Sequence, residues 1–262
     1  HLSIRRQRQM CISDRPQTVT ITGADDDLID GTISSTITVS INDGSSDNNF
    51  DALADQTVTA TTTDDDVAGF TVAETGGSTA VAESGTTDTF TIVLNAQPAS
   101  DVVLAITSSD TGEATVTTPL TFTNGNWDTP QTVTITGVDD DLIDGSVNST
   151  LTVSVVDAAS DNNFDAVADQ TVSVSTTDDD VAGFTIVELD GATEVDESGT
   201  TDTFTVVLDA QPTSDVVLTI TSDDTGEATV NSPLTFTSAN WDTPQTVTVT
   251  GADDSIIDGT IT

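Results

Sequence analysis

"PQTVTITGVDDDLIDG", Pro130 to Gly145, sets a strand directly against a loop. Its first half alternates Val133 and Ile135 with Thr132, Thr134 and Thr136, the period-two pattern of a β-strand with one apolar and one polar face. Its second half gathers Asp139, Asp140, Asp141 and Asp144, chemistry that suits a turn and not a strand. Nothing basic lies near to neutralise these charges.

The same stretch recurs as "PQTVTITGADDDLIDG" from Pro16 and as "PQTVTVTGADDSIIDG" from Pro244, each copy 114 residues from the next. "NWDTP" (Asn126, Asn240), "ESGTTDTFT" (Glu83, Glu197), "SDNNFDA" (Ser46, Ser160) and "TTDDDVAGF" (Thr62, Thr176) keep that offset. A period above 100 residues describes an array of whole domains, not a solenoid of small units. The expected division is 16–66 as the C-terminal part of one repeat, 67–180 as a complete repeat, and 181–262 as a third repeat cut short at its C-terminus.

Within 67–180 the apolar residues keep the period of two. Phe70 to Val72, then Phe90, Ile92 and Leu94, then Val102, Leu104 and Ile106, Leu120 and Phe122, Val133 and Ile135, Leu151 to Val155, and Val172 with Val174 define about seven strands. Thr and Ser fill most positions between them, as on the solvated face of an antiparallel sheet. No stretch has a helical period. The fold class is therefore all-β, a tandem of seven-strand antiparallel β-sandwiches of the Ig or cadherin-like kind. Trp127 and Trp241 read as core plugs at the start of the strand leading into the acidic loop. "SDNNFDA" at Ser160 reads as a plain loop with Phe164 filling the core.

Four basic residues face 45 acidic ones, and all four (Arg5, Arg6, Arg8, Arg15) fall in the first fifteen residues together with His1, Met10 and Cys11. So abrupt a shift marks 1–15 as a segment foreign to the repeats, of artefactual origin. From Pro16 onward no basic side chain remains, which excludes nucleic acid and an anionic membrane as main partners, because phosphate binding needs cationic side chains. No apolar run is long enough to span a membrane, and no signal peptide is evident. Without cysteine the repeats have no disulfide staples, so stability has to come from elsewhere.

The complete repeat carries four acidic clusters, each at a strand end: Glu83, Asp110 with Glu113, the Asp139–Asp144 loop, and Asp178, Asp179 and Asp180. In a seven-strand sandwich these loops can converge on one pole. Two unit charges about 4 Å apart repel by roughly 1 kcal/mol in water and about 4 kcal/mol at an effective dielectric near 20, so such a pole splays open unless a cation holds it. Calcium takes six to eight oxygen ligands and tolerates irregular geometry, whereas magnesium demands an octahedron and zinc prefers the nitrogen and sulfur that the repeats lack. A solvated acidic coat is the competing reading. A coat would scatter its charges along exposed strand positions, which here carry Thr and Ser.

The order "ESG", strands, "FTNGNWDTPQTVTITGVDDDLIDG", strands and a closing "DDD" resembles the Calx-beta domain, in particular the tandem versions of large bacterial secreted or surface proteins. The resemblance covers 16–262. It implies seven-strand sandwiches that bind Ca²⁺ at one end, with ligands from Glu83, Asp110, Asp139, Asp140, Asp141, Asp144, Asp178, Asp179 and Asp180. Matching positions are Asp25, Asp26, Asp27, Asp30, Asp64, Asp65 and Asp66 in the first repeat, and Glu197, Asp224, Asp253, Asp254 and Asp258 in the third. The chain departs from the family pattern at Asp144, where a Glu often closes the loop, and at Ser255, which replaces an Asp. "DDDLIDG" is not an EF-hand loop, since it lacks the spacing, the distal Glu and the flanking helices.

The function expected is that of a calcium-binding spacer in a large extracellular adhesin or surface filament, with Ca²⁺ stiffening domain ends and junctions. Its partners would be calcium ions, neighbouring repeats of the same chain, and other copies in a filament or a surface ligand. A recognition module for glycan, protein or ice on the Thr-rich faces is the alternative. An enzyme is not expected: the repeats contain no His, Lys or Cys, no nucleophile elbow and no phosphate loop.

Overall fold

The chain is described over residues 16–253 in a computed structural model, so residues 1–15, Asp254 and Asp258 lie outside the described residues. The first repeat contributes a two-stranded antiparallel sheet, β1 (Ile33–Val39) with β2 (Gln56–Thr62). The middle repeat is a sandwich of two sheets. It runs β3 (Phe70–Glu74), β4 (Thr79–Ala82), β5 (Thr87–Leu94), β6 (Val102–Ser108), β7 (Ala114–Val116), β8 (Leu120–Phe122), β9 (Gln131–Gly137), β10 (Val147–Val155) and β11 (Gln170–Thr177). One sheet has the order β3-β5-β9-β7 and the other β4-β11-β10-β6-β8.

Seven strands were expected and nine form: the strand that opens the repeat is split between the sheets, and β7 is additional. The first divides at Thr75–Gly77, where Gly76 and Gly77 take φ of 76° and 81°, so that β3 joins one sheet and β4 the other. β7, ahead of the expected strand at Leu120 and Phe122, joins the sheet of β3, whereas β8 joins the sheet of β4. β4 lies parallel to β11, and the other pairings of the sandwich are antiparallel. Among the described residues, helix is confined to three-residue 3₁₀ turns.

The alternating apolar residues meet between the sheets. Phe90, Ile92, Val133 and Ile135 from one face Leu104, Ile106, Leu151 and Phe122 from the other, all 0–1% exposed. Each such side chain contributes about 1.5–3 kcal/mol by leaving water. Phe164 fills the core from its loop as expected, and Asp161 beside it accepts the N–H groups of Ala99, Ser100 and Asn163. Trp127 packs against the core too, but from the turn ahead of β9, where its carbonyl accepts Leu94 N–H at 3.1 Å.

The third repeat builds β12 (Phe184–Glu188), β13 (Thr201–Leu208), β14 (Val216–Leu218), β15 (Ala228–Val230), β16 (Leu234–Phe236) and β17 (Gln245–Gly251), with sheets β12-β13-β17-β15 and β14-β16 matching β3-β5-β9-β7 and β6-β8, while residues 193–196, which match β4, form no strand. Counterparts of β10 and β11 are not among the described residues, and Phe184 is accordingly 53% exposed where its equivalent Phe70 is 3%. The first repeat makes the same point with an identical sequence. "QTVTITG" forms β9 at 131–137 with Val133 fully buried, yet at 17–23 it is no strand and Val19 is 78% exposed. β9 is a strand because β5 and β7 pair with it.

Candidate metal centre

Four segments bring carboxylates to one end of the middle sandwich. Glu83 follows β4, and its N–H donates to Thr177 O at 3.0 Å at the end of β11. Glu113 precedes β7, where its carbonyl accepts Val138 N–H at 2.9 Å and the Thr176 hydroxyl at 3.4 Å. The Asp139–Asp144 loop joins β9 to β10, and Asp178 to Asp180 leave β11. Gly137 permits the close approach: a Cβ there would lie 2.0 Å from the carbonyl oxygen of Ala82, beside Glu83.

Two sets of carboxylates result. Glu83, Asp140 and Asp180 form one, and Glu83, Glu113 and Asp144 the other; within each, one oxygen of every member lies within 4.8 Å of the rest. Glu83 belongs to both. It is 1% exposed, and neither of its oxygens has a hydrogen-bond partner. Glu113 Oε2 and Asp180 Oδ2 are also buried and unpartnered. A buried carboxylate with no donor is costly, and it resolves that cost by taking a proton or a cation. Burial first, then repulsion from Asp140, Asp178, Glu113 and Asp144, pushes Glu83 up to about 7. Glu113, Asp144 and Asp180 are raised as well, by burial and then by their acidic neighbours.

Asp178 has a different part. Its Oδ2 accepts the N–H groups of Asp144 and Gly145 at 3.0 and 2.8 Å, and its Oδ1 accepts Asp180 N–H at 2.7 Å. The bonds from Gly145, Asp180 and Asp144 outweigh desolvation and hold its carboxyl below the ordinary range. Asp178 thus ties the acidic loop to the closing triplet. Asp140 Oδ1 accepts Leu142 N–H at 2.7 Å, and Asp110 turns back on Gly112 N–H at 3.0 Å. Asp110, Asp139, Asp141 and Asp179 are exposed and stand outside both sets. Glu113, absent from the ligands the resemblance implies, stands inside one. Its signal in the sequence is its place with Asp110 in the acidic cluster "SSDTGEA".

The clamp recurs in the first repeat, where Asp64 accepts N–H groups from Asp30, Gly31 and Asp66 at 3.0, 2.7 and 2.9 Å. Asp25, Asp26, Asp30, Asp64, Asp65 and Asp66 line a cleft of about 340 Å³ with Ile21, Ile33 and Ile37, and Asp27 repels Asp66 from nearby. In the third repeat Glu197 and Asp253 border an open depression, and Asp224 repeats the Asp110 turn by accepting Gly226 N–H at 2.9 Å.

No protein-family model matches the sequence, and no curated protein matches it. Among solved structures the chain is similar to the apo Calx CBD1 domain, with 15% identity over 42% of this chain and 98% of that one and a TM-score of 0.31. It is also similar to CBD12 from CALX1.2, with 16% identity over 71% of this chain and 76% of that one and a TM-score of 0.31. Domains 4–9 of the surface layer protein SbsC share 21% identity over 79% of this chain and 30% of theirs, with a TM-score of 0.32. Likenesses this low carry no functional assignment, and the sandwich is read from its own sheets. Among the described residues, no helix is long and apolar enough to cross a membrane.

Proposed function

We propose that the repeats are calcium-binding spacers of a large extracellular surface protein, each stiffened by Ca²⁺ at the pole where its acidic loops meet. One observation carries the reading: Glu83 is buried with both oxygens unpartnered and stands between two sets of carboxylates. An all-oxygen, strongly anionic cradle suits a hard cation of high coordination number, and Ca²⁺ fits such a site better than Mg²⁺. Glu83, Asp140 and Asp180 would hold one ion, and Glu83, Glu113 and Asp144 a second, while Asp178 keeps the loop in place. The ion supplies charge and cross-linking and no chemistry of reaction. Near-identical repeats suit a stalk, and millimolar calcium outside a cell fills even weak sites. Calorimetric titration of the chain with Ca²⁺ tests the reading. Saturable binding that equimolar Mg²⁺ does not reproduce supports it, and no heat of binding at millimolar Ca²⁺ removes it.

A further inference from the structure

"DDDLIDG" contains two apolar residues that a cation cradle does not need. We infer that Leu142-Ile143, and Leu28-Ile29 one repeat earlier, form a docking latch whose partner is the next repeat of the same chain. The same contacts occur at both junctions. Gln97 donates its N–H to Asp27 O at 2.7 Å, and Gln211, at the matching position, donates to Asp141 O at 2.7 Å. Leu28 makes a parallel bridge with Gln97, as Leu142 does with Gln211. Each glutamine is anchored within its own repeat, Gln97 Nε2 on Asn124 O at 2.8 Å and Gln211 Nε2 on Ser238 O at 2.9 Å.

At the first junction the latch closes further. Ile29 N–H donates to Gln97 O at 3.4 Å, Asn163 Nδ2 donates to Ile29 O at 3.2 Å, and the Ile29 side chain packs on the core of the middle repeat. The Asn163 turn has no counterpart among the described residues of the third repeat, and Ile143 stays 41% exposed. The acidic loop therefore faces two ways. Its Asp144 and Gly145 N–H groups are tied to Asp178 in their own repeat, while the Asp141 carbonyl and Leu142 engage the next, as Asp27, Leu28 and Ile29 do one repeat earlier. A loop ordered on one side is pre-organised to dock on the other, which lowers the entropy cost of holding two domains in one orientation.

The latch deepens the calcium reading by naming the partner of that loop, yet its contacts stand without an ion. The test is amide hydrogen exchange at Gln97 and Gln211 in the 262-residue chain, combined with small-angle scattering, for the unaltered protein and a Leu142→Ser/Ile143→Ser variant. The variant should speed exchange at Gln211 by roughly tenfold, the effect of losing one protecting contact of ordinary strength. Exchange at Gln97 should stay unchanged, and the scattering should broaden toward a flexible joint. A Gln211→Pro variant, which removes the donor itself, should loosen the joint likewise. Unchanged scattering in both variants, with Gln211 exchange unchanged in the first, overturns the latch. Calcium titration of the unaltered chain reads the other proposal separately: a loosened joint with no calcium binding leaves the latch standing and removes the ion.

Discussion

Asp178 Oδ2 accepts the backbone N–H of Gly145 at 2.8 Å, and in the preceding repeat Asp64 Oδ2 accepts that of Gly31 at 2.7 Å. A clamp repeated at the same offset in two repeats is a device of the fold, independent of the surrounding sandwich. An Asp178→Ala variant removes the acceptor for three N–H groups and frees the loop that carries Asp140 and Asp144. Its calcium affinity should fall by about tenfold or more, the factor that corresponds to roughly 1.4 kcal/mol, as read by calorimetry. Circular dichroism should show the strands retained.

Glu83 belongs to both carboxylate sets, so replacing it separates the site from the fold. Glu83→Gln keeps the shape, removes a buried charge and gives Asp140 and Asp144 an amide donor. The metal-free chain should melt at the same temperature or higher, while the calcium-dependent rise shrinks or vanishes. Paired thermal scans in chelator and in Ca²⁺ check both halves.

The pH dependence has a definite sign. Glu83 stands at about 7 in the folded metal-free repeat, against 4.5 for an ordinary glutamate. The folded state keeps a proton that the unfolded state releases, so this contribution is full below about 4.5 and is lost as pH rises through 7. Asp64 and Asp178, with lowered values, contribute oppositely, but their loss begins only as pH falls through the ordinary 3.8. In chelator the chain should melt lower at pH 8 than at pH 5. In saturating Ca²⁺, which takes the place of the proton, the order should reverse.

Gly137 fixes the distance between β9 and the turn that carries Glu83. A Gly137→Ala variant would set its Cβ 2.0 Å from Ala82 O, and backbone cannot give way as a side chain does. It should cost about 1–3 kcal/mol, the usual range for overpacking, measurable by chemical denaturation.

The longer strands were legible because their apolar period survives in the residues themselves, as in Phe90, Ile92 and Leu94. β4 and β7 were not: three or four residues carry too little alternation, and their places come from pairing with β11 and β9. The two copies of "QTVTITG" show the same limit, since identical residues are buried in one place and exposed in the other. At the site, composition and repetition pointed to loops that meet at one pole of the sandwich, but not to which carboxylates are buried there. Asp178 was expected to bind a cation, and both of its oxygens accept backbone N–H groups; Glu113 was left out of the expected ligands and lies within one set. Burial separates these roles, and burial is set by strands distant in sequence.

The most direct measurement is the melting temperature of the chain in excess Ca²⁺, in chelator and in Mg²⁺ at equal concentration. Binding to the folded state alone stabilises by about 2.7 kcal/mol at a hundredfold excess over the dissociation constant, so Ca²⁺ should raise the transition by several degrees and Mg²⁺ by less. Identical melting in Ca²⁺ and in chelator would contradict the account.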